Sequence, residues 1–283
     1  MKKALSMFTV PPGWSVEKCL RLAADTGFEG VELVMGEGDT EISVDVSDQQ
    51  LRRIRQMADA RGVAIASLAS ALHWDHSFTH GDPAVREKAA RIGEAMIRAA
   101  HSLETDTVLM IPGYVSPDVY YLDAYRRAVA AMQTLGRVAR DSGIHIGLEN
   151  GGMKFLASPL EFSRFLDEIG SEFVGVYFDT GNAMIEGYPE HWISMLGPRI
   201  KKVHLKDFRL SARTFPEAYC HLFEGDVRWP QVMAELRKSG YDSYLVAEFP
   251  APKYFPESVF AAISRNMDLL LSLSAETAAP KTQ

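Results

Sequence analysis

Four residues that can bind a metal ion each lie at the end of a short apolar run: Glu149, Asp179, His204 and Glu248. Taking several carboxylates out of water is costly unless a counter-charge compensates them. A divalent cation supplies such a charge, and three carboxylates with one imidazole suit Mn²⁺, Mg²⁺, Co²⁺ or Zn²⁺. Positions on the ion then stay open for water or substrate. If the fold brings these residues together, they predict a single divalent metal site.

The elements that must position these residues alternate regularly along the chain. Short β-branched or apolar runs are followed by longer segments with helical periodicity, several of which begin at Ser15, Asp82 or Ser158. Strands that alternate with helices are typical of a parallel sheet built from βαβ units. The predicted strands are Leu5–Val10, Gly30–Val34, Ala64–Ala69, Thr107–Ile111, Ile144–Glu149, Val174–Asp179, Ile200–Leu205 and Tyr244–Phe249. The clearest helices are Ser15–Thr26, Ser47–Arg61, Pro83–Ser102, Val119–Ser142, Ser158–Ile169, Trp229–Ser239 and Pro256–Leu273.

Eight strand–helix units in 283 residues predict a closed (β/α)₈ TIM barrel, an α/β fold of typically about 250 residues. An open doubly wound sheet is the alternative, but it usually carries a glycine-rich phosphate loop after its first strand. Here that position is Val10–Trp14, which lacks the G-x-G-x-x-G pattern. No linker divides the chain, so residues 1–274 are predicted to form a single barrel domain. Residues 275–283 are predicted to be a flexible C-terminal tail.

Active sites of such barrels lie at the carboxyl ends of the strands. The four candidate ligands end the fifth to eighth predicted strands, so we expect them to meet at one side of the barrel mouth. Further residues near strand ends are candidates for substrate binding, with packing, salt bridges or exposed loops as the alternatives. They are Asn182, Lys206, Arg209, His73, Trp74 and Glu32.

Bulk composition argues against several classes of protein. The net charge of −7 disfavours a nucleic-acid partner, which would require a basic face. No apolar run reaches the roughly 18 residues of a membrane span, and the N-terminus lacks the features of a secretory signal. Two cysteines without a C-x-x-C pair do not form a disulfide framework. We therefore expect a cytoplasmic protein that acts on a small molecule, without nucleic-acid or membrane partners, and compatible with a homo-oligomer.

Motifs along nearly the whole chain resemble the xylose isomerase-like superfamily of sugar (phosphate) isomerases and epimerases. They are Gly27–Leu33, Leu148-Glu149-Asn150, Phe178–Asn182, Val203–Asp207, Glu224–Val227 and Ala247-Glu248. Resemblance to the ketose 3-epimerases of this superfamily implies one divalent ion, Mn²⁺ first and otherwise Co²⁺ or Mg²⁺, at the four matching positions. It also implies that Glu149 and Glu248 act as acid and base on opposite faces of the substrate. The implied reaction is epimerisation or isomerisation of a ketose or ketose phosphate, most often at C3, through an enediolate.

Side-chain chemistry indicates candidate roles for residues around the cluster, beside the packing and salt-bridge alternatives given above. Lys206 can bind a substrate hydroxyl or neutralise the enediolate, and Asn182 can orient carboxylates or hydroxyls. Trp74 can stack on the apolar face of a sugar. The guanidinium fork of Arg209 suits a sugar oxygen or a phosphate. Alternation along its strand predicts that Glu32 points into the barrel, where it can contact the substrate or a ligand.

Departures from the family pattern leave the substrate open. Ketohexose 3-epimerases commonly carry histidine at the position of Asn182 and a second glutamate at that of Phe155. The ribulose- and xylulose-phosphate epimerases resemble this chain better at the position of Asn182. A metal-dependent lyase or dehydratase, in which the enolate expels a leaving group, is the alternative. An endonuclease would need a cationic groove and further zinc ligands. The end of the fourth predicted strand, Met110–Tyr114, contains no histidine that could be such a ligand. Four intact ligand positions disfavour a non-catalytic barrel.

Overall fold

Eight parallel strands close into a barrel in the computed structural model, which describes residues 1–273 apart from the side chains of residues 215 and 216. The barrel strands are β1 (Lys2–Ser6), β2 (Gly30–Val34), β3 (Ala64–Ala69), β4 (Thr107–Met110), β5 (His145–Glu149), β6 (Val174–Asp179), β7 (Ile200–Leu205) and β10 (Tyr244–Ala247). Around the barrel their order is β1-β10-β7-β6-β5-β4-β3-β2. Two further strands, β8 (Asp207–Phe208) and β9 (Tyr219–Cys220), pair as an antiparallel hairpin. The predicted (β/α)₈ fold is confirmed, and the predicted tail, 275–283, lies outside the described residues.

Helices follow the barrel strands in chain order. They are α1 (Val16–Thr26), α2 (Asp48–Asp59), α3 (Leu72–Asp75), α4 (Pro83–Ser102), α5 (Tyr121–Ser142), α6 (Pro159–Ile169), α7 (Thr180–Glu186), α8 (Pro189–Leu196), α9 (Phe215–Ala218), α10 (Trp229–Lys238) and α11 (Pro256–Ser272). The hydroxyls of Ser15, Ser47 and Ser158 cap α1, α2 and α6 by accepting a hydrogen bond from a first-turn N–H. Gly27 and Gly143 end α1 and α5 in the left-handed conformation. Within the described part of the chain, no helix is long and apolar enough to span a membrane.

The first strand and the segment between β6 and β7 differ from the predicted elements. β1 spans Lys2–Ser6 rather than Leu5–Val10, because the Ser6 hydroxyl accepts the Phe8 N–H at 3.2 Å and starts a 3₁₀ turn. The helices α7 and α8 lie between β6 and β7 and were not among the clearest predicted helices. Both are short, and a few residues carry too little periodicity to indicate a helix.

Polar side chains from five strands meet inside the barrel beneath its mouth. They are Ser6, Glu32, Ser67, Tyr177 and His204, and all are buried. Gly147 on β5 makes room for the tyrosine, because a Cβ at this position would lie 2.9 Å from the Tyr177 Cβ. Buried hydroxyl, carboxyl and imidazole groups must satisfy one another. The interior of the barrel therefore contains a hydrogen-bonded network directly below the predicted site.

Asp207 organises the loop that carries the β8–β9 hairpin. Its fully buried carboxylate accepts hydrogen bonds from the backbone N–H groups of Phe208, Phe223 and Val227, at 2.8, 2.9 and 3.1 Å. It also accepts one from the indole N–H of Trp229, at 3.0 Å. Four donors, from Phe208 directly after Asp207 to Trp229 at the start of α10, therefore depend on one side chain.

The substitution Asp207→Asn should destabilise the protein by roughly 2–4 kcal/mol. The amide nitrogen cannot accept hydrogen bonds, and each buried donor that loses its acceptor costs about 1–3 kcal/mol. Urea unfolding followed by circular dichroism measures the change. The matched control is Asp226→Asn, because Asp226 lies in the same loop but is exposed and, among the described residues, accepts one hydrogen bond, from the Leu210 N–H at 2.8 Å. Equal unfolding midpoints for the two variants would contradict this role of Asp207.

Candidate metal and active site

Four side chains converge at the mouth of the barrel from adjacent strands. Glu149 ends β5, Asp179 ends β6, His204 lies near the end of β7, and Glu248 directly follows β10. These strands are consecutive around the barrel, and Asp179 is paired with His204 in the β6–β7 register. Each residue offers one ligand atom, and the four atoms all lie within 4.8 Å of one another. The structure thus brings together all four ligands that the sequence suggested.

The four side chains differ in their access to solvent. Asp179 and His204 are buried, whereas the side chains of Glu149 and Glu248 remain 13% and 19% exposed. The two glutamates also come from the outer strands of the four-strand arc. A molecule that enters the barrel mouth can therefore reach both glutamates, with the aspartate and the histidine between them.

The two ring nitrogens of His204 face different groups: Nδ1 faces the other cluster residues, and Nε2 faces the barrel interior. Its Nδ1 lies 3.0 Å from Glu248 Oε2, 3.4 Å from Glu149 Oε1 and 3.8 Å from Asp179 Oδ2. Its Nε2 lies 2.8 Å from Glu32 Oε1, inside the barrel. The ring is therefore held between the acidic cluster above and a buried carboxylate below.

Asp179 is fixed by the turn that follows it in the sequence. It is the N-cap of α7, and its Oδ1 accepts the Asn182 N–H at 2.7 Å. The side chain of Asn150 bonds the Asp179 backbone on both sides, accepting from its N–H at 2.7 Å and donating to its carbonyl at 3.0 Å. One carboxylate oxygen thus holds the turn, while Oδ2 remains available to the cluster.

Two carboxylate oxygens of the cluster, Asp179 Oδ2 and Glu248 Oε2, are buried, and among the described residues neither accepts a hydrogen bond of good geometry. Their close partners are cationic or ionisable groups, including Lys206 Nζ at 3.1 and 2.8 Å. Three carboxylates and one imidazole form a donor set suited to a small divalent ion. These residues therefore fit one such ion chemically.

Lys206 and Asn182, two candidates for substrate binding, lie beside the cluster. The Lys206 ammonium contacts the two carboxylates and lies 5.1 Å from the centre of the Tyr219 ring. The Asn182 Nδ2 donates to the Asn150 carbonyl at 2.9 Å and lies 3.5 Å from Glu149 Oε1. The Tyr219 hydroxyl donates to Asn182 Oδ1 at 2.8 Å. The hairpin loop therefore contributes Tyr219 to the wall of the site.

Burial and neighbouring charges shift the pKa values of Glu149 and Glu248 in opposite directions. Burial raises the pKa of Glu149 above its ordinary value. Burial also opposes ionisation of Glu248, but the charges of Lys206 and His204 outweigh it and hold the pKa of Glu248 below its ordinary value. Burial opposes protonation of His204, yet the carboxylates of Glu32 and Glu248 raise its pKa well above the usual range. The two glutamates therefore lie in unlike electrostatic surroundings.

Four other predicted substrate ligands lie in different surroundings. Glu32 is fully buried beneath His204. The His73 ring packs on Phe78, and its Nε2 lies 3.2 Å from the Ala89 carbonyl of α4. Two further residues contact other parts of the mouth: Arg209 forms an ion pair with Glu224 at 2.8 Å, and Trp74 stacks on Tyr114 with 6.2 Å between ring centroids.

His73 should make the stability of the protein depend on pH. Burial lowers its pKa from 6.5 to about 4, with a smaller contribution from His76. The unfolded chain then binds more protons than the folded chain between these values, so stability is full above pH 6.5 and falls as the pH decreases toward 4. The loss attributable to His73 is roughly 3 kcal/mol at most, at about 1.4 kcal/mol per pKa unit.

Urea unfolding of His73→Gln at several pH values between 7 and 4 tests this expectation. The variant keeps a donor for the Ala89 carbonyl and should show a shallower loss of stability on acidification than the wild type. His191→Gln, which replaces an exposed histidine, should keep the wild-type slope. If His73→Gln also keeps that slope, the ring does not titrate as proposed.

Several residues at the site have no clear signal in the sequence. Tyr219 reaches Asn182 from a loop hairpin, which no hydrophobic periodicity predicts. Tyr177, Ser6 and Ser67 lie in ordinary strand patterns, and their contact with Glu32 depends on barrel closure and strand register. Alternation along β6 does place Tyr177 two residues before Asp179 on the same face, which was the one available indication.

Together, the closed parallel barrel and the acidic cluster at its strand ends define a TIM barrel with an enzyme-like site. The family model described as "Xylose isomerase-like TIM barrel" matches residues 20–271. The chain therefore belongs to the xylose isomerase-like TIM barrel family, and the resemblance seen in its motifs is confirmed.

Curated relatives carry two kinds of functional name. The putative L-ribulose-5-phosphate 3-epimerase SgbU of Escherichia coli K12 is 30% identical over 194 residues, which cover 66% of this chain and 66% of that protein. The inosose dehydratase of Bacillus thuringiensis (strain Al Hakam) is 24% identical over 162 residues, which cover 52% and 54%. The chain thus spans about half to two thirds of the length of these relatives.

A solved structure described as L-ribulose 3-epimerase superposes on this chain with a TM-score of 0.79 at 19% identity, covering 100% of this chain and 99% of the other. At this identity the likeness shows the fold. The named relatives support the prediction that the chain is an enzyme of the sugar epimerase and isomerase kind, while dehydratases are also among them.

Proposed function

We propose that this protein is a divalent-metal-dependent epimerase or isomerase of a ketose or ketose phosphate, with inversion at C3 as the favoured reaction. The observation that carries the proposal is the placement of Glu149 and Glu248 on the outer strands of the four-strand arc. Their ligand atoms lie within 4.8 Å of those of Asp179 and His204, and both side chains are partly exposed. A substrate held at the cluster would have a carboxylate on each side.

Inversion at a carbon atom needs an acid–base group on each face. In our proposal one glutamate removes the proton beside the carbonyl, and the other delivers a proton to the opposite face. A single base would tend to return the proton to the face it left. When held by the four ligands, a divalent ion would supply Lewis acidity toward the substrate oxygens. Mn²⁺ is the ion we favour, with Co²⁺, Mg²⁺ and Zn²⁺ compatible with the same donor set.

Lys206 and Asn182 are proposed to complete this chemistry. The Lys206 side chain is only 14% exposed, and its ammonium lies against the cluster, where it can balance negative charge that develops on a substrate oxygen. The Tyr219 hydroxyl binds the carbonyl end of the Asn182 amide, so the amino end is directed toward Asn150 and Glu149. We propose that Asn182 orients Glu149 or a substrate hydroxyl through this amino group.

The remainder of the substrate is proposed to lie in a neighbouring cavity of about 600 Å³ at the ends of β3, β4 and β5. Trp74 and Tyr114 form a stacked aromatic wall, which suits the C–H face of a sugar. Lys154 also lines the cavity and can bind a hydroxyl or a phosphate. The other lining residues are Val115, Ser116, Pro117, Gly152 and Met153.

A dehydratase acting on a sugar-derived keto compound is the second candidate, because inosose dehydratases are among the relatives. Both reactions begin with removal of a proton beside a carbonyl. They differ in whether the resulting enolate is reprotonated or expels hydroxide. The cluster is compatible with either outcome, since Lys206 can assist a leaving hydroxyl as well as stabilise charge.

Deuterium incorporation distinguishes these candidates. The Mn²⁺-loaded protein is incubated in D₂O with pentuloses, hexuloses, their phosphates and cyclic keto-polyols, and products are followed by NMR. An epimerase should place deuterium at C3 and form the C3 epimer, whereas a dehydratase should release water and form a new double bond. No label and no product from any compound, with bound Mn²⁺ verified, would refute both candidates.

A further inference from the structure

We infer that Glu32 is a positioning residue for the metal site, which orients His204 so that its Nδ1 is the ligand atom. The inference rests on the proposed metal site but not on the reaction that the site performs. Glu32 was predicted from the sequence to contact the substrate or a ligand. Its complete burial beneath the imidazole ring favours the second of these roles.

The two nitrogens of His204 have separate and complementary partners. Nε2 lies 2.8 Å from Glu32 Oε1, and a carboxylate oxygen can only accept a hydrogen bond there. Nε2 must therefore carry a proton. Nδ1 faces the cluster, where it lies 3.0 Å from Glu248 and 3.4 Å from Glu149. A divalent ion bound in the cluster would take the Nδ1 lone pair in place of a proton, while the contact with Glu32 keeps the proton on Nε2.

Glu32 is itself held by donors from three other strands. Its Oε1 accepts from the Ser6 hydroxyl of β1 at 2.7 Å, in addition to His204 Nε2. Its Oε2 accepts from the Ser67 hydroxyl of β3 at 2.9 Å and from the Tyr177 hydroxyl of β6. Each carboxylate oxygen thus has two donors. With both oxygens engaged inside the barrel, the side chain has little freedom to turn toward a substrate.

Packing also restricts rotation of the histidine ring. The Tyr177 ring lies 4.4 Å from the His204 ring, centroid to centroid. The space that Tyr177 occupies depends on Gly147 in the adjacent strand. These groups are in barrel strands rather than in loops, and side chains on rigid elements hold a site more accurately. Glu32 thereby connects the position of one ligand to the closed barrel.

The substitution Glu32→Gln should raise the Kd for Mn²⁺ by about 10–100-fold, the usual effect of removing a partner behind a metal-binding histidine. Glutamine keeps the size of the side chain but loses one acceptor oxygen and the charge. Mn²⁺ titration by calorimetry measures this without any substrate. The matched control is Ser67→Ala, which removes one donor to Glu32 and keeps the Glu32–His204 contact, so it should alter the Kd much less.

A wild-type Kd in Glu32→Gln would overturn the inference while leaving the metal site and the proposed function intact. Failure of the wild type to bind Mn²⁺ would overturn both. If Glu32→Gln does not fold, NMR of the wild-type protein still tests which nitrogen of His204 binds the metal ion. In the Zn²⁺-loaded protein, ¹H–¹⁵N spectra of the imidazole, assigned by comparison with His204→Asn, should show a protonated Nε2 and a metal-shifted Nδ1. The reverse assignment would contradict the inference.

Discussion

Glu149→Gln and Glu248→Gln should each reduce epimerisation by roughly 10²–10⁴-fold, the usual contribution of a positioned acid or base. Each variant keeps one of the two groups that flank the cluster. The remaining glutamate can still remove a proton from the substrate epimer that presents its C–H bond to that side. It cannot deliver a proton to the other face. Inversion should therefore be lost in both variants while exchange of a single proton survives.

The surviving exchange should differ between the two variants. One should incorporate solvent deuterium only into one C3 epimer, and the other only into the opposite epimer, because the two carboxylates face opposite sides of the substrate. Single-turnover NMR in D₂O with each purified epimer measures this pattern. The same epimer labelled by both variants, or inversion that persists in either, would contradict the two-base mechanism.

Metal occupancy and local disturbance need separate controls in this experiment. Glu149 and Glu248 belong to the ligand cluster, and glutamine offers a weaker oxygen ligand, so bound Mn²⁺ must be measured in every variant. The matched control is Glu224→Gln. Glu224 is a half-exposed partner of Arg209 in the hairpin loop, and its loss should leave both inversion and exchange near the wild-type level.

Treatment with a chelator should abolish activity, and one equivalent of Mn²⁺ or Co²⁺ per chain should restore it. Three carboxylates in a partly buried cluster repel one another, and a divalent ion compensates them while it polarises the substrate. An ion that binds only the folded state also stabilises that state, by about 2.7 kcal/mol when the free ion concentration is 100 times the Kd. Turnover and the unfolding midpoint should thus rise together as metal is added.

The stabilisation by metal should depend on Asp179. In Asp179→Asn the buried Oδ2 loses its charge, so added Mn²⁺ should raise the unfolding midpoint much less than in the wild type. Asp226→Asn, which changes an exposed carboxylate, should respond as the wild type does. Turnover that is insensitive to the chelator would remove the ion from the mechanism, even if the protein binds metal.

The fold and the four central residues were predictable because they depend on short-range patterns. Apolar runs that end in Glu149, Asp179 or Glu248 are strand signals followed by an unexpected polar residue. In a parallel barrel all strands end at the same face, so the positions of these residues in the sequence nearly determine their position in space. His204 follows the same rule, one residue before the end of β7.

Residues whose roles depend on side-chain direction were less predictable. Alternation correctly placed Glu32 inside the barrel, but its depth depends on closure and on a register shift beside it in the β2–β3 pairing. His73 lies on a short helix, α3, and its ring turns into the packing against α4. The partner of Arg209 is 15 residues further along the chain. Contacts of this kind follow from tertiary packing and not from local sequence.

The arrangement of the ligands around the barrel also bears on how new substrate preferences can arise. Glu149, Asp179, His204 and Glu248 all belong to one half of the barrel circumference, and the loops after β1 to β4 supply none of the four. Mutations in those loops therefore leave the four clustered side chains themselves unchanged. In the enzyme that we propose, a directed-evolution library restricted to these loops would therefore be expected to change the sugar preference while Glu149, Asp179, His204 and Glu248 stay unchanged.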